Sequence, residues 1–164
     1  MVHYRAAIIG TGRVASLLER DPLRPKPHTH AGWYHRHPDI ELVAGADIDP
    51  DRLQAFGRDW GIDDGHLFAD YRLMLGRIKP DLVSICAYAP QRLEMIEASL
   101  QAGACGLWVE KAIACSLAEA DEIQRLLSRH GAKAIVNYPR RADAAYRAVG
   151  SIIKERTLSV ADDL

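Results

Sequence analysis

A chain of 164 residues with 48% hydrophobic and 26% charged residues has the composition of one globular domain with a buried core, and it is too short for two of ordinary size. A net charge of −1 gives no electrostatic reason to expect nucleic acid or an anionic membrane as partner. No apolar run approaches the roughly 20 residues a membrane-crossing helix needs.

The N-terminus enters a strand-like segment at once and lacks the charged, apolar and small-residue succession of a signal peptide. Cys86, Cys105 and Cys115 are odd in number and form no Cys-x-x-Cys pair, which points to reduced thiols and a cytoplasmic protein.

In chain order, the first apolar run covers residues 6–9 and ends in Gly10-Thr11-Gly12-Arg13-Val14-Ala15. Gly10 permits a tight turn out of a strand. Gly12 lets backbone N–H groups approach a pyrophosphate, and Ala15 takes the third small position, where a following helix packs closely on the sheet. The N-terminus of that helix would add partial positive charge for phosphates.

Residues 18–39 carry Pro22, Pro25, Pro27 and Pro38 and are expected to form an inserted loop. Within it His28, His30, His35 and His37 have spacings at which imidazoles can bind zinc, nickel or copper. With no cysteine beside them and prolines throughout, no metal site is assigned. Trp33 and Tyr34 are expected to pack this loop on the domain.

The second run, 42–46, leads to Asp47 and Asp49. Asp49 precedes Pro50 as the N-cap of a helix that runs to Trp60 and stops at Gly61. Asp47 has no such local task and is the candidate acceptor for the two ribose hydroxyls of NAD. It lies 37 residues beyond Gly10, against about 20 in the usual fingerprint, and the excess sits in the inserted loop, whose closure entropy grows only slowly with length. An anionic Asp47 repels a 2′-phosphate, so NAD is preferred, with NADP as the alternative because Arg52 is near.

Further along, Asp70 caps a short helix carrying Met74, Leu75 and Ile78, which Lys79-Pro80 stops. A third strand covers 82–87. Leu93, Ile96 and Leu100 share a helical face, with Gly103 as its stop. A fourth strand spans 107–109. Ser116 and Glu119 form a capping box for a helix to His130, closed by Gly131. A fifth strand covers 133–136. A last helix is expected over 141–155, with Ala142, Ala145, Tyr146, Val149, Ile152 and Ile153 on one side.

Strands alternating with helices of this length imply β-α-β crossovers, and so an α/β fold with a doubly wound, mainly parallel sheet of the Rossmann type. Ligands in such sheets bind beyond the carboxyl ends of the strands, where strand order reverses.

Several segments resemble the N-terminal domain of the Gfo/Idh/MocA oxidoreductases: "IIGTGRVAS", "ELVAGADIDPDRLQAFG", "DLVSICAYAP", "GLWVEKAIACSLAEADEI" and "VNYPRR". The resemblance implies NAD(P)-dependent hydride transfer to or from a small sugar- or polyol-like substrate. It implies that Gly10, Thr11, Gly12, Arg13 and Val14 line the pyrophosphate, that Asp47 meets the ribose, and that Ala87, Tyr88 and Pro90 flank the cofactor. Glu110 and Lys111 match the family's Glu-Lys-Pro motif, which makes Lys111 the candidate catalytic residue beside nicotinamide and substrate. Asn137, with Arg140 or Arg141, matches an Asn…Arg segment that shapes the same pocket.

Ala112 departs from the family proline, and Arg92 stands where many members have histidine. Residues 1–155 are thus expected to form the dinucleotide-binding domain, and 156–164 the start of an absent substrate domain that in the family supplies acid/base residues. A homo-oligomer or a partner chain is expected to supply it. A non-catalytic sensor or accessory subunit is the alternative. An S-adenosylmethionine-dependent transferase, a third class, is disfavoured by Ala15 and the Glu110-Lys111 segment.

Overall fold

The computed structural model describes residues 3–141 and 143–154. The expected start of a second domain at 156–164 lies outside them, as do Ala142 and Glu155 of the last expected helix.

Six strands form the sheet: β1 (Tyr4–Ile9), β2 (Ile40–Ala46), β3 (Leu67–Phe68), β4 (Leu82–Ile85), β5 (Gly106–Glu110) and β6 (Lys133–Asn137). Every pairing is parallel, in the order β3-β2-β1-β4-β5-β6, so the order reverses between β1 and β4. This is the doubly wound Rossmann topology.

Alternation along β1 sorts the core. Ala7 and Ile9 join Val83, Ile85, Leu107 and Val109 on the face covered by α3 (Tyr71–Ile78), α4 (Arg92–Gln101) and α5 (Leu117–His130). Ala6 and Ile8 face the other way, against Ala31 and Tyr34 of α1 (His30–Arg36) and Phe56 of α2 (Pro50–Trp60).

Helix ends follow local chemistry. Asp49 accepts the N–H groups of Asp51 and Arg52, Pro50 opens α2, and Gly61 closes it at φ 66°. Ser116 accepts the N–H of Glu119, whose carboxylate takes the N–H of Cys115, one residue earlier than the usual reciprocal bond.

Several expectations are corrected. No α-helix follows the glycine turn directly: a tight turn leads into a 3₁₀ segment, Leu17–Arg20. The inserted loop contains α1, capped by the Thr29 hydroxyl, which accepts the N–H of Gly32. Tyr34 packs inward as expected, whereas Trp33 stays half exposed. Two-residue β3 was not expected, and β4 stops at Ile85, short of Ala87.

The final helix, α6 (Ala144–Lys154), keeps Tyr146, Val149 and Ile153 exposed instead of packing them on the sheet. No helix among the described residues is long and apolar enough to cross a membrane.

Candidate functional site, a cleft at the strand ends

Gly10 leaves β1 at φ +86°, a conformation L side chains rarely adopt, and a Cβ there would stand 3.1 Å from the backbone of both Cys86 and Ala87. Gly12 has the opposite surroundings: a Cβ would meet only Arg52 Nη1, at 3.9 Å. The backbone beyond β1 therefore borders open space, which is what close approach of a phosphate to N–H groups requires. Arg13 and Val14 follow on the surface, and Ala15 is fully buried.

Asp47 has a structural task that its place in the sequence does not disclose. Its Oδ2 accepts the Thr11 N–H at 2.7 Å and the Thr11 hydroxyl at 3.1 Å, and its Oδ1 accepts the Asp49 N–H at 2.9 Å. It thus ties the end of β2 to the glycine turn. Three of about four acceptor positions on the carboxylate are filled, leaving room for one further donor.

Beyond β4, Ala87 is half buried, and Tyr88 and Pro90 are exposed. Arg92 is buried and donates to the Ala87 carbonyl from Nε at 3.0 Å and Nη2 at 2.7 Å, and to the Ala112 carbonyl from Nη1. The residue that departs from the family's histidine therefore fastens the loop after β4 to the loop after β5. The Lys111–Ala112 peptide bond is cis.

Glu110 ends β5 with its carboxylate buried. Oε1 faces His30 Nε2 at 3.2 Å and accepts from Asn137 Nδ2. Burial pushes this carboxyl up, but the hydrogen bonds from His30, Asn137 and the Lys111 N–H, with the attraction of His30, outweigh it and hold Glu110 below the ordinary carboxylate range. Lys111 itself is exposed.

A cleft of about 330 Å³ opens here, with Val14, His30, Trp108, Glu110, Lys111 and Asn137 in its wall. The structure thus gathers four of the predicted residues and brings in others, His30 and Trp108 among them. Residues 10–13, Asp47, Ala87, Tyr88 and Pro90 lie outside this wall, as do Arg140 and Arg141. The four histidines do not cluster: His30 is buried, while His35 and His37 are exposed. Among the described residues no group of three or more His, Cys, Asp or Glu is set to hold a metal ion.

A family model for the Gfo/Idh/MocA oxidoreductases, with an NAD-binding Rossmann fold, matches residues 4–138. The chain belongs to this family. Among its relatives, the D-apiose dehydrogenase of Paraburkholderia graminis is 31% identical over 153 residues, which are 93% of this chain and 36% of that protein. The D-glucoside 3-dehydrogenase of Escherichia coli is 33% identical over 119 residues, 73% of this chain and 30% of that protein. The chain spans about a third of the length of these relatives.

Among solved structures, myo-inositol 2-dehydrogenase from Lactobacillus plantarum is 26% identical with a TM-score of 0.76, covering 96% of this chain and 42% of that one. The scyllo-inositol dehydrogenase from Lactobacillus casei, solved with NAD(H) and scyllo-inositol, shares the fold at a TM-score of 0.78 and 21% identity, with the same coverage of both chains.

Proposed function

We propose that this chain is the cofactor-binding part of an NAD(P)-dependent oxidoreductase acting on a small polyol- or sugar-like substrate. One observation carries the reading: a single cleft has Val14, at the end of the glycine turn, and Lys111 in the same wall. The N–H groups of Gly12, Arg13 and Val14 take the pyrophosphate, while those of Gly10 and Thr11 go to the Ala46 carbonyl and Asp47 and shape the turn. Asp47 uses its remaining acceptor capacity on the ribose, and Ala87, Tyr88 and Pro90 flank the dinucleotide. Glu110 and Asn137 frame the nicotinamide end. When bound, the cofactor supplies hydride transfer.

Lys111 is the catalytic residue in this reading. Its ammonium holds the substrate oxygen and moves a proton at that atom. The anionic Asp47 favours NAD over NADP. Relatives named for D-apiose, D-glucosides and myo-inositol support a polyhydroxylated substrate. The rest of the substrate site is supplied from outside this cofactor-binding domain. The free Cys86, Cys105 and Cys115 fit a reducing, cytoplasmic setting.

Calorimetric titration with NADH, NADPH and S-adenosylmethionine tests the reading. Binding of NADH ahead of NADPH, with no heat from S-adenosylmethionine, is expected; the reverse preference overturns the choice of NAD argued from Asp47, and binding of S-adenosylmethionine alone overturns the reading itself.

A further inference from the structure

We propose that His30 is a positioning residue of the cleft, holding the Glu110–Lys111 corner in register with the glycine turn; the proposal rests on the dinucleotide-binding reading above. The backbone of α1 hangs from that turn: the His30 N–H donates to the Val14 carbonyl at 3.3 Å, and the Ala31 N–H to the Ala15 carbonyl at 2.9 Å. The side chain reaches the far end of the same cleft. One ring nitrogen lies 2.9 Å from Ser84 Oγ on β4, and the other 3.2 Å from Glu110 Oε1 at the end of β5. The ring also packs on Trp108, with centroids 3.9 Å apart.

His30 has little freedom to do otherwise. The Glu19 carboxylate accepts the N–H groups of His28 and Thr29 and the Thr29 hydroxyl, which fixes the start of α1. Gly32 leaves that carboxylate its space, since a Cβ there would stand 2.6 Å from Glu19 Oε2. Behind the imidazole, Ser84 Oγ lies 2.8 Å from the buried Tyr34 hydroxyl. The imidazole is 1% exposed, so water does not replace it.

Glu110 passes this constraint on. Its carboxylate accepts from Asn137 on β6 and from the N–H of Lys111. His30 therefore links the turn, through its backbone, to β4, β5 and β6, through its imidazole, and by way of Glu110 sets where the chain carrying Lys111 leaves the sheet. Removing it leaves a buried carboxylate short of a donor. The Asp47–Thr11 bonds at the other end of the site are untouched. The loss should fall on the nicotinamide end alone.

The test compares NADH with ADP, which lacks the nicotinamide half, by calorimetry on the whole chain, with melting curves as a check of folding. His30→Ala is expected to weaken NADH about tenfold while ADP stays within about twofold. His30→Gln, whose amide can still donate to Glu110, restores most of the loss. Should His30→Ala fail to fold, His30→Asn replaces it: too short to reach Glu110, it shows the selective loss that Gln does not.

Equal losses for NADH and ADP, or no loss in the folded Ala or Asn variant, overturn the proposal. A wild-type chain that binds neither ligand overturns the dinucleotide reading and this assignment with it. A wild-type chain that binds NADH as tightly as the folded variant overturns only the role of His30.

Discussion

Asp47 shows how a residue's chemistry can be legible while its task is not. Its position after β2 marks it as an acceptor, but nothing local announces that Thr11 is the donor, because the two are 36 residues apart. Asp47→Ala should therefore do two things: lower the melting temperature, since three donors lose their acceptor, and weaken NADH about tenfold. Loss of melting temperature without loss of NADH would confine Asp47 to the turn.

Glu110 makes a prediction about pH. Its folded value lies below the unfolded one of about 4.3, so its contribution to stability is complete above that pH and disappears as pH falls through the folded value. Between about pH 5 and pH 3 the melting temperature of the wild type should fall more steeply than that of Glu110→Gln; parallel curves would contradict the bonded carboxylate. At Lys111, replacement by alanine should abolish turnover on a polyol panel, in the presence of the completing domain, and leave folding intact. Unchanged turnover would remove it from the chemistry.

At the scale of elements, what could be read depended on length and on self-contained signals. Five strands are apolar runs flanked by turn residues, although the first three residues of β6 are exposed, and α2, α3 and α5 each carry their own cap. Two-residue β3 is too short to show a pattern. Helix α1 was hidden by the prolines around it, although Thr29 as a cap and the inward trio His30, Ala31 and Tyr34 are its signature.

The expected helix after the glycine turn failed for a related reason: small residues at the right spacing license close packing but do not compel a helix. Two substitutions test the local account. Gly10→Ala should destabilise by about 2 kcal/mol from backbone strain alone, with further loss from contact with Cys86 and Ala87. Ser116→Ala should cost about 1 kcal/mol through the N-terminus of α5, measured by urea unfolding; a neutral result at either site contradicts its role.

In the molecule as a whole, the glycine turn leaves β1 where strand order reverses, a place that follows from the alternation of strands and helices, and the cleft reaches from Val14 to the ends of β5 and β6. How the cleft is completed is not written in local patterns. The sheet face beside Trp108 and Ile135 is poorly covered, and α6 holds Tyr146, Val149 and Ile153 away from the core. Such surfaces invite association, and sedimentation at rising concentration should reveal it; a monomer throughout would contradict the expected partner.

The most direct measurement is a crystal of the chain soaked in millimolar NADH. The account predicts a diphosphate against the N–H groups following Gly10, with the nicotinamide entering the cleft beside Lys111. A cleft filled by the protein's own side chains, or a dinucleotide bound elsewhere, would contradict it.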